Sequence, residues 1–79
     1  MKKNTELSDI EIERAKKLKE AREKQGLSLQ QVSDKLKKYS TSVSAATLQR
    51  YESGEISRIP IKRITALSKI YNTTPEYLL

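Results

Sequence analysis

The feature of this sequence that most constrains its fold is the position of its two glycines and two prolines. Gly26 and Gly54 each follow a segment of helix-forming residues, where a left-handed residue commonly ends a helix. Pro60 and Pro75 stand where the fixed φ angle of proline favours the first turn of a helix. No segment between these boundaries has the pattern of a strand, and the sequence therefore predicts short helices joined by tight turns.

Polar residues that can cap helices precede the predicted segments. Ser8 and Ser28 are candidate N-caps, and Glu11 and Gln31 stand three residues later, which completes a capping box in each case. Ser44 is the expected N-cap of a third helix that ends at Gly54. A fourth helix is predicted from about Pro60 to Tyr71, with Asn72 as its cap, and a fifth begins near Thr74.

Apolar residues recur at helical spacing in each of the first four segments, which predicts the faces that form the core. We also expect Tyr71 and Tyr77 to pack in the core and Tyr39 to be partly exposed; the alternative for Tyr77, together with Leu78 and Leu79, is a dimer contact. The predicted inward faces are, in chain order, Ile10, Leu18 and Ala21; Leu29, Val32 and Leu36; Leu48 and Tyr51; and Ile61, Ile64, Leu67 and Ile70.

The length and composition fit one small helical domain. The chain has 79 residues, 35% of them hydrophobic, and it contains no Cys and no His. A disulfide framework is therefore excluded, and the usual ligands of a transition metal are missing. No apolar stretch approaches the roughly 20 residues of a membrane span. We predict a flexible arm over 1–7, a domain over 8–79, a cytoplasmic location, and neither a cofactor nor a metal.

The positive charge is concentrated in the middle of the chain. The net charge is +6, and residues 37–63 carry six basic but only two acidic residues. Such an excess suggests a polyanionic partner, whereas the mixed charges of the first third are typical of a solvated helix face. Charge alone is equally consistent with a role in solubility.

A set of residues between Leu27 and Gly54 resembles the Cro/CI-type helix-turn-helix family, which is also called XRE-like or lambda-repressor-like. The resemblance extends over about residues 16–79 and is closest to phage-type repressors of Gram-positive bacteria. It implies an all-α, compact five-helix domain that binds DNA through its third helix. The residues that carry it are Leu27-Ser28, Val32-Ser33, Leu36, Val43-Ser44, Leu48, Tyr51-Glu52-Ser53-Gly54, Ile59-Pro60 and Asn72 through Leu78.

The resemblance implies that the outward face of the third helix reads bases in the major groove. Ala45 and Ala46 fall on the leading positions and offer only apolar contact, for example to a thymine methyl group. Gln49 and Arg50 follow, and they could bind adenine and guanine through paired hydrogen bonds. The alternative for Gln49 and Arg50 is an ordinary solvated helix face.

The resemblance also implies a phosphate-binding set and a structural ion pair. Arg22 and Glu52 match family positions that often join the first helix to the third. The expected phosphate contacts come from the starts of the second and third helices and from the segment after the third: Ser28, Gln30, Gln31, Ser44, Thr47, Ser53 and Arg58.

The chain departs from the family pattern in two places. Leu29 occupies a position where the family usually has a glutamine that reaches a phosphate. The stretch between Leu36 and Val43 is longer than the usual turn and lacks its glycine, which predicts an extended turn between helices two and three. Lys37 and Lys38 in this turn could touch the DNA backbone, or they could simply complement the dipole of the helix end.

The resulting expectation is a transcriptional regulator that binds an operator in double-stranded DNA and acts as a repressor, either by itself or as the N-terminal domain of a longer phage-type repressor. Regulators of this kind commonly act as homodimers on inverted repeats. We expect the same here, and the dimer could form through sequence beyond Leu79. The alternative is a protein-binding module such as an antitoxin of the same fold. An enzyme is not expected, because no set of residues resembles a positioned acid, base, nucleophile or metal.

Overall fold

A computed structural model describes residues 9–79 and contains five α-helices with no strand in that range. A single 3₁₀ turn, Lys37–Tyr39, follows the second helix directly. The prediction of an all-α, five-helix domain is confirmed. The helices are α1 (Asp9–Lys24), α2 (Leu29–Leu36), α3 (Ala45–Ser53), α4 (Ile61–Ile70) and α5 (Pro75–Leu78).

The helices begin where the capping residues predict. The side chain of Ser28 accepts a hydrogen bond from the Gln31 N–H, and the Gln31 side chain accepts one from the Ser28 N–H, so the predicted capping box is confirmed. Ser44 and Thr74 cap α3 and α5 in the same way, by accepting from the N–H three residues later. α4 begins at Ile61, so Pro60 lies just outside its first turn. Ser8, the predicted cap of α1, and the predicted arm 1–7 lie outside the described residues.

Left-handed residues end three of the helices. Gly26 has φ +68° and Gly54 has φ +85°, conformations that cost a residue with a side chain about 1 kcal/mol or more. Asn72 takes the same conformation after α4, with φ +58°, and the following Thr73 N–H donates to the Ser68 carbonyl. These local hydrogen bonds satisfy the final carbonyls of each helix and turn the chain toward the next one.

The core lies between all five helices. Leu18 and Ala21 of α1 and Leu48 and Tyr51 of α3 are buried, as their spacing predicts. The short α5 closes the core through Leu78, which has no exposed surface. The main cluster contains Leu18, Ala21, Val32, Leu36, Val43, Leu48, Tyr51, Ile64, Ala66, Leu67, Tyr71 and Leu78.

Three residues predicted to be in the core are exposed instead. Ile10 is 67% exposed because it lies in the first turn of α1, and the buried residues of this helix begin only at Ala15. Ile61 is 62% exposed because the buried face of α4 starts one turn later, at Ile64. Tyr77 is 44% exposed because its neighbour Leu78 takes the inward position of α5.

The extended turn between α2 and α3 follows a defined path. α2 tightens into the 3₁₀ turn, and Ser40 then adopts a left-handed conformation with φ +57°. The Lys69 ammonium lies 5.9 Å from the centre of the Tyr39 ring, a cation–π contact between the turn and α4. The buried Ser33 hydroxyl donates to the Val43 carbonyl at 2.7 Å. This bond fixes the end of the turn against α2, immediately before α3 begins.

Candidate nucleic-acid interface

One face of α3 is free of contacts with the core. Leu48 and Tyr51 turn inward and are 2% and 3% exposed. Ala46, Gln49 and Arg50 lie on the opposite side and are exposed, while Ala45 is half-buried. Three of the four predicted base-reading residues, Ala46, Gln49 and Arg50, therefore share the outward side of α3, and Ala45 lies at the edge of that side.

Tyr51 also connects α3 to the following helix. The Tyr51 hydroxyl accepts a hydrogen bond from the Arg63 guanidinium at 2.6 Å. A buried phenol needs a polar partner for its hydroxyl group, and Arg63 supplies it from α4. The inward face of α3 is thus held in place by the burial of Leu48 and Tyr51 and by the hydrogen bond from Arg63.

Arg22 joins three segments through one guanidinium. Its Nε donates to one oxygen of Glu52 at 2.7 Å, and one terminal nitrogen donates to the other oxygen at 3.0 Å. The second terminal nitrogen donates to the Leu27 carbonyl at 2.8 Å. Both side chains of the ion pair are largely buried, at 13% and 8% exposed. The hydrogen bond to Glu52 raises the pKa of Arg22, so the guanidinium remains protonated.

This arrangement brings two of the predicted phosphate contacts to one neighbourhood. Ser28 directly follows Leu27, and Ser53 directly follows Glu52, so both serines are one residue away from groups bound to the same guanidinium. The start of α2 and the end of α3 are therefore held at a fixed separation.

The hydrogen bonds among the side chains at the starts of α2 and α3 determine which N–H and O–H donors remain for a ligand. In the capping box, Gln31 uses its side-chain oxygen, which leaves its Nε2 as a donor. Ser44 donates to the Thr47 hydroxyl at 3.0 Å, so the Thr47 proton is the one left over at the start of α3. Gln30 directs its amide nitrogen to Asp34 at 3.2 Å.

The segment after α3 is held by the first helix. One terminal nitrogen of Arg14 donates to the Ser57 carbonyl at 3.5 Å, and Arg14 also lines a shallow depression with Arg58 and Pro60. Arg58 itself is exposed. Sequence reasoning missed Arg14, because it shares no motif with the segment it contacts and is 43 residues away.

The extended turn adds basic residues at the end of α2. Lys37 and Lys38 are exposed, and the Lys37 ammonium lies 3.9 Å from the Asp34 carboxylate. Within residues 9–79, no group of three or more His, Cys, Asp or Glu side chains is arranged to hold a metal ion. No helix in the same range is long and apolar enough to cross a membrane.

Comparison with known proteins assigns the family. A family model described as helix-turn-helix matches residues 18–78. No significant match was found among curated proteins, and none was found among solved structures. The matched range contains the whole of α2, α3 and α4, together with Arg22 and Glu52. The chain therefore belongs to the XRE, or Cro/CI-type, family of helix-turn-helix DNA-binding domains.

Proposed function

We propose that this chain is a sequence-specific transcriptional regulator, acting as a repressor, that reads the major groove of double-stranded DNA with α3. The observation that carries the proposal is the exposed face of α3. Gln49 and Arg50 project from a helix whose opposite face is anchored by Leu48 and Tyr51. A rigid helix with outward hydrogen-bonding side chains matches the width of the major groove.

Direct reading of bases would depend on few residues. Arg50 can donate two hydrogen bonds to guanine, and Gln49 can pair with adenine, each contributing roughly 1–3 kcal/mol of discrimination. Ala45 and Ala46 can offer only apolar contact to a thymine methyl group. We therefore expect phosphate contacts and DNA shape to supply much of the affinity.

The phosphate contacts would come from three groups of residues. The first is the Gln31 Nε2, the Ser28 hydroxyl and Gln30, at the start of α2. The second is the segment after α3, with Ser53 and Arg58. The third is Ser44 and Thr47 at the first turn of α3, where backbone N–H groups favour an anion. Lys37 and Lys38 of the extended turn are further candidates.

We further propose that the regulator binds as a homodimer to an inverted repeat. A two-fold dimer presents two α3 helices, so the half-sites would be about one helical turn apart, roughly 34–36 Å. The exposed apolar side chains near the end of the chain, Tyr77 and Leu79, are candidate dimer contacts.

The test is a salt titration of binding to random duplex DNA, followed by selection and sequencing of the bound molecules. We expect binding to weaken steeply with salt and the selected sites to form an inverted repeat. Arg50→Ala should relax one position of each half-site, at a cost of roughly 1–3 kcal/mol. Arg58→Ala should weaken all sequences alike and reduce the salt slope by about one.

Lys16→Ala is the matched control, because Lys16 is exposed on α1 and lies outside the proposed interface. This variant should select the same DNA sequence as the unaltered protein. Its affinity for a duplex that carries that sequence should be almost unchanged. Absence of binding at low salt would contradict the proposal. It would instead favour a protein partner, as for an antitoxin of this fold.

A further inference from the structure

The base-reading cation of α3 faces a carboxylate that the family resemblance did not single out. Arg50 is the only basic residue of α3, and its Nε lies 3.7 Å from an oxygen of Glu55. Glu55 lies two residues beyond the end of the helix. Both side chains are exposed, at 54% and 67%, so the pair is accessible to DNA.

The local backbone fixes Glu55 beside Arg50. Gly54 is left-handed and reverses the chain at the end of α3. The Ser53 hydroxyl accepts from the Glu55 N–H at 3.3 Å and donates to the Arg50 carbonyl at 3.1 Å. The Ile56 N–H also donates to the Arg50 carbonyl, at 3.2 Å. The backbone of Glu55 is therefore tied to the same residue that its carboxylate faces.

We infer that Glu55 is a specificity-determining residue that positions Arg50 for a base and prevents it from binding phosphates indiscriminately. The inference rests on the proposed function. The contact uses the Nε side of the guanidinium, which leaves both terminal amino groups for a bidentate contact to the O6 and N7 atoms of guanine. Glu55 is a positioning residue in this arrangement, because it acts through Arg50.

The negative charge of Glu55 explains why the pair weakens binding to DNA that lacks the selected site. An unpaired arginine gains affinity from any phosphate, because its binding releases a counterion regardless of sequence. Paired with Glu55, Arg50 contributes almost no net charge, and the carboxylate also repels a nearby phosphate. A guanine at the right position still offers two directed hydrogen bonds. The pair therefore lowers non-specific affinity more than specific affinity.

The experiment compares Glu55→Gln, Arg50→Ala and the double variant with the unaltered protein. Each is titrated with the selected site, with sites changed at one base pair, and with random duplex DNA at several salt concentrations. Glu13→Gln is the matched control, because it makes the same chemical change at an exposed glutamate on α1.

We expect Glu55→Gln to raise affinity for random DNA several-fold and to steepen its salt slope by about one. The preference at the base pair read by Arg50 should fall by about tenfold. In the Arg50→Ala background the same substitution should leave that preference unchanged. An equal gain for every sequence in both backgrounds would overturn the inference, since Glu55 would then act only as a general negative charge.

A measurement without DNA separates this inference from the proposed function. In the free protein, the nuclear magnetic resonance signal of the Arg50 Nε–H should shift in Glu55→Gln and remain in place in Glu13→Gln. An unmoved signal would overturn the pairing while leaving DNA binding by α3 intact. A shifted signal in a protein that binds no DNA would remove the proposed function, and the role of Glu55 in specificity with it.

Discussion

The largely buried Arg22 and the buried Ser33 fix the position of α3 relative to the rest of the domain. Arg22 binds Glu52 at the end of the helix, and Ser33 binds the Val43 carbonyl just before its start. Each contact satisfies a polar group that would otherwise be costly to bury, and each joins residues that are distant in sequence. Both ends of the proposed recognition helix therefore depend on single hydrogen-bonding groups.

The Arg22–Glu52 pair should contribute substantially to stability. Glu52→Gln keeps the size of the side chain but removes its charge, which leaves the largely buried Arg22 guanidinium without a counter-ion. We expect the free energy of unfolding to fall by about 2 kcal/mol in urea denaturation. Glu55→Gln is the matched control at an exposed glutamate, and it should change stability by less than about 0.5 kcal/mol. Equal effects of the two substitutions would contradict a structural role for the pair.

The Ser33 hydrogen bond gives a second prediction at the residue scale. Ser33→Ala removes the donor to the Val43 carbonyl and should destabilise the protein by about 1–2 kcal/mol, measured by urea denaturation. The comparison is Ser68→Ala, at the other buried serine, whose hydroxyl donates to the Thr65 carbonyl inside α4. A helical carbonyl also accepts a backbone N–H, so the loss there should be smaller. A larger loss for Ser68→Ala would show that Ser33 does not hold the turn.

At the scale of elements, the extended turn shows how the domain accommodates additional residues between α2 and α3. Lys37–Tyr39 continue the direction of α2 as a 3₁₀ turn, Ser40 reverses the chain, and Tyr39 contacts Lys69 of α4. The additional residues therefore extend one helix and rest on another, and the core contacts of α3 remain in place. The missing turn glycine is compensated by a serine in a left-handed conformation.

The left-handed conformation of Ser40 costs free energy that a glycine at this position would not lose. Ser40→Gly should raise the free energy of unfolding by about 0.5–1 kcal/mol, because a side chain disfavours positive φ and glycine does not. Ser42→Gly makes the same change two residues later, where φ is not positive. It should lower stability by a few tenths of a kcal/mol through the greater freedom of the unfolded chain. Thermal unfolding of both variants checks the sign, and a destabilised Ser40→Gly would refute the argument.

At the scale of the whole molecule, the core controls how stability responds to alkaline pH. Tyr71 is 3% exposed, and burial raises the pKa of its phenol well above the ordinary value of 10.0, with a further contribution from the Glu52 carboxylate. Above pH 10 the unfolded chain therefore loses this proton while the folded protein retains it. By linkage, the free energy of unfolding falls as pH rises through this range.

Tyr71→Phe tests this response. The unaltered protein should lose up to about 1.4 kcal/mol per pH unit from Tyr71 above pH 10, and the variant should lose correspondingly less. Urea denaturation at a series of alkaline pH values measures the two slopes. Tyr77→Phe, at an exposed tyrosine, should keep the slope of the unaltered protein. If both variants behave alike, the pH dependence originates from groups other than Tyr71.

Much of the local structure follows from the sequence alone. The starts of α2, α3 and α5 are set by Ser28, Ser44 and Thr74, because a cap is a hydrogen bond across three residues and needs no tertiary partner. The left-handed residues Gly26 and Gly54 mark helix ends for the same reason. The inward and outward faces of α3 also follow from periodicity, since Leu48 and Tyr51 are both buried.

Only the tertiary structure decided which helix ends project beyond the core and which charges meet. Ile10 and Ile61 have apolar side chains in suitable periodic positions but are exposed, and Tyr77 lies at the surface, where the Lys17 ammonium of α1 is 5.2 Å from the centre of its ring. The contacts of Arg14 with Ser57 and of Tyr39 with Lys69, and the pairing of Arg50 with Glu55, leave no periodic trace in the sequence. Helix caps depend on neighbouring residues, whereas burial and charge pairing depend on how the completed helices and turns meet in space.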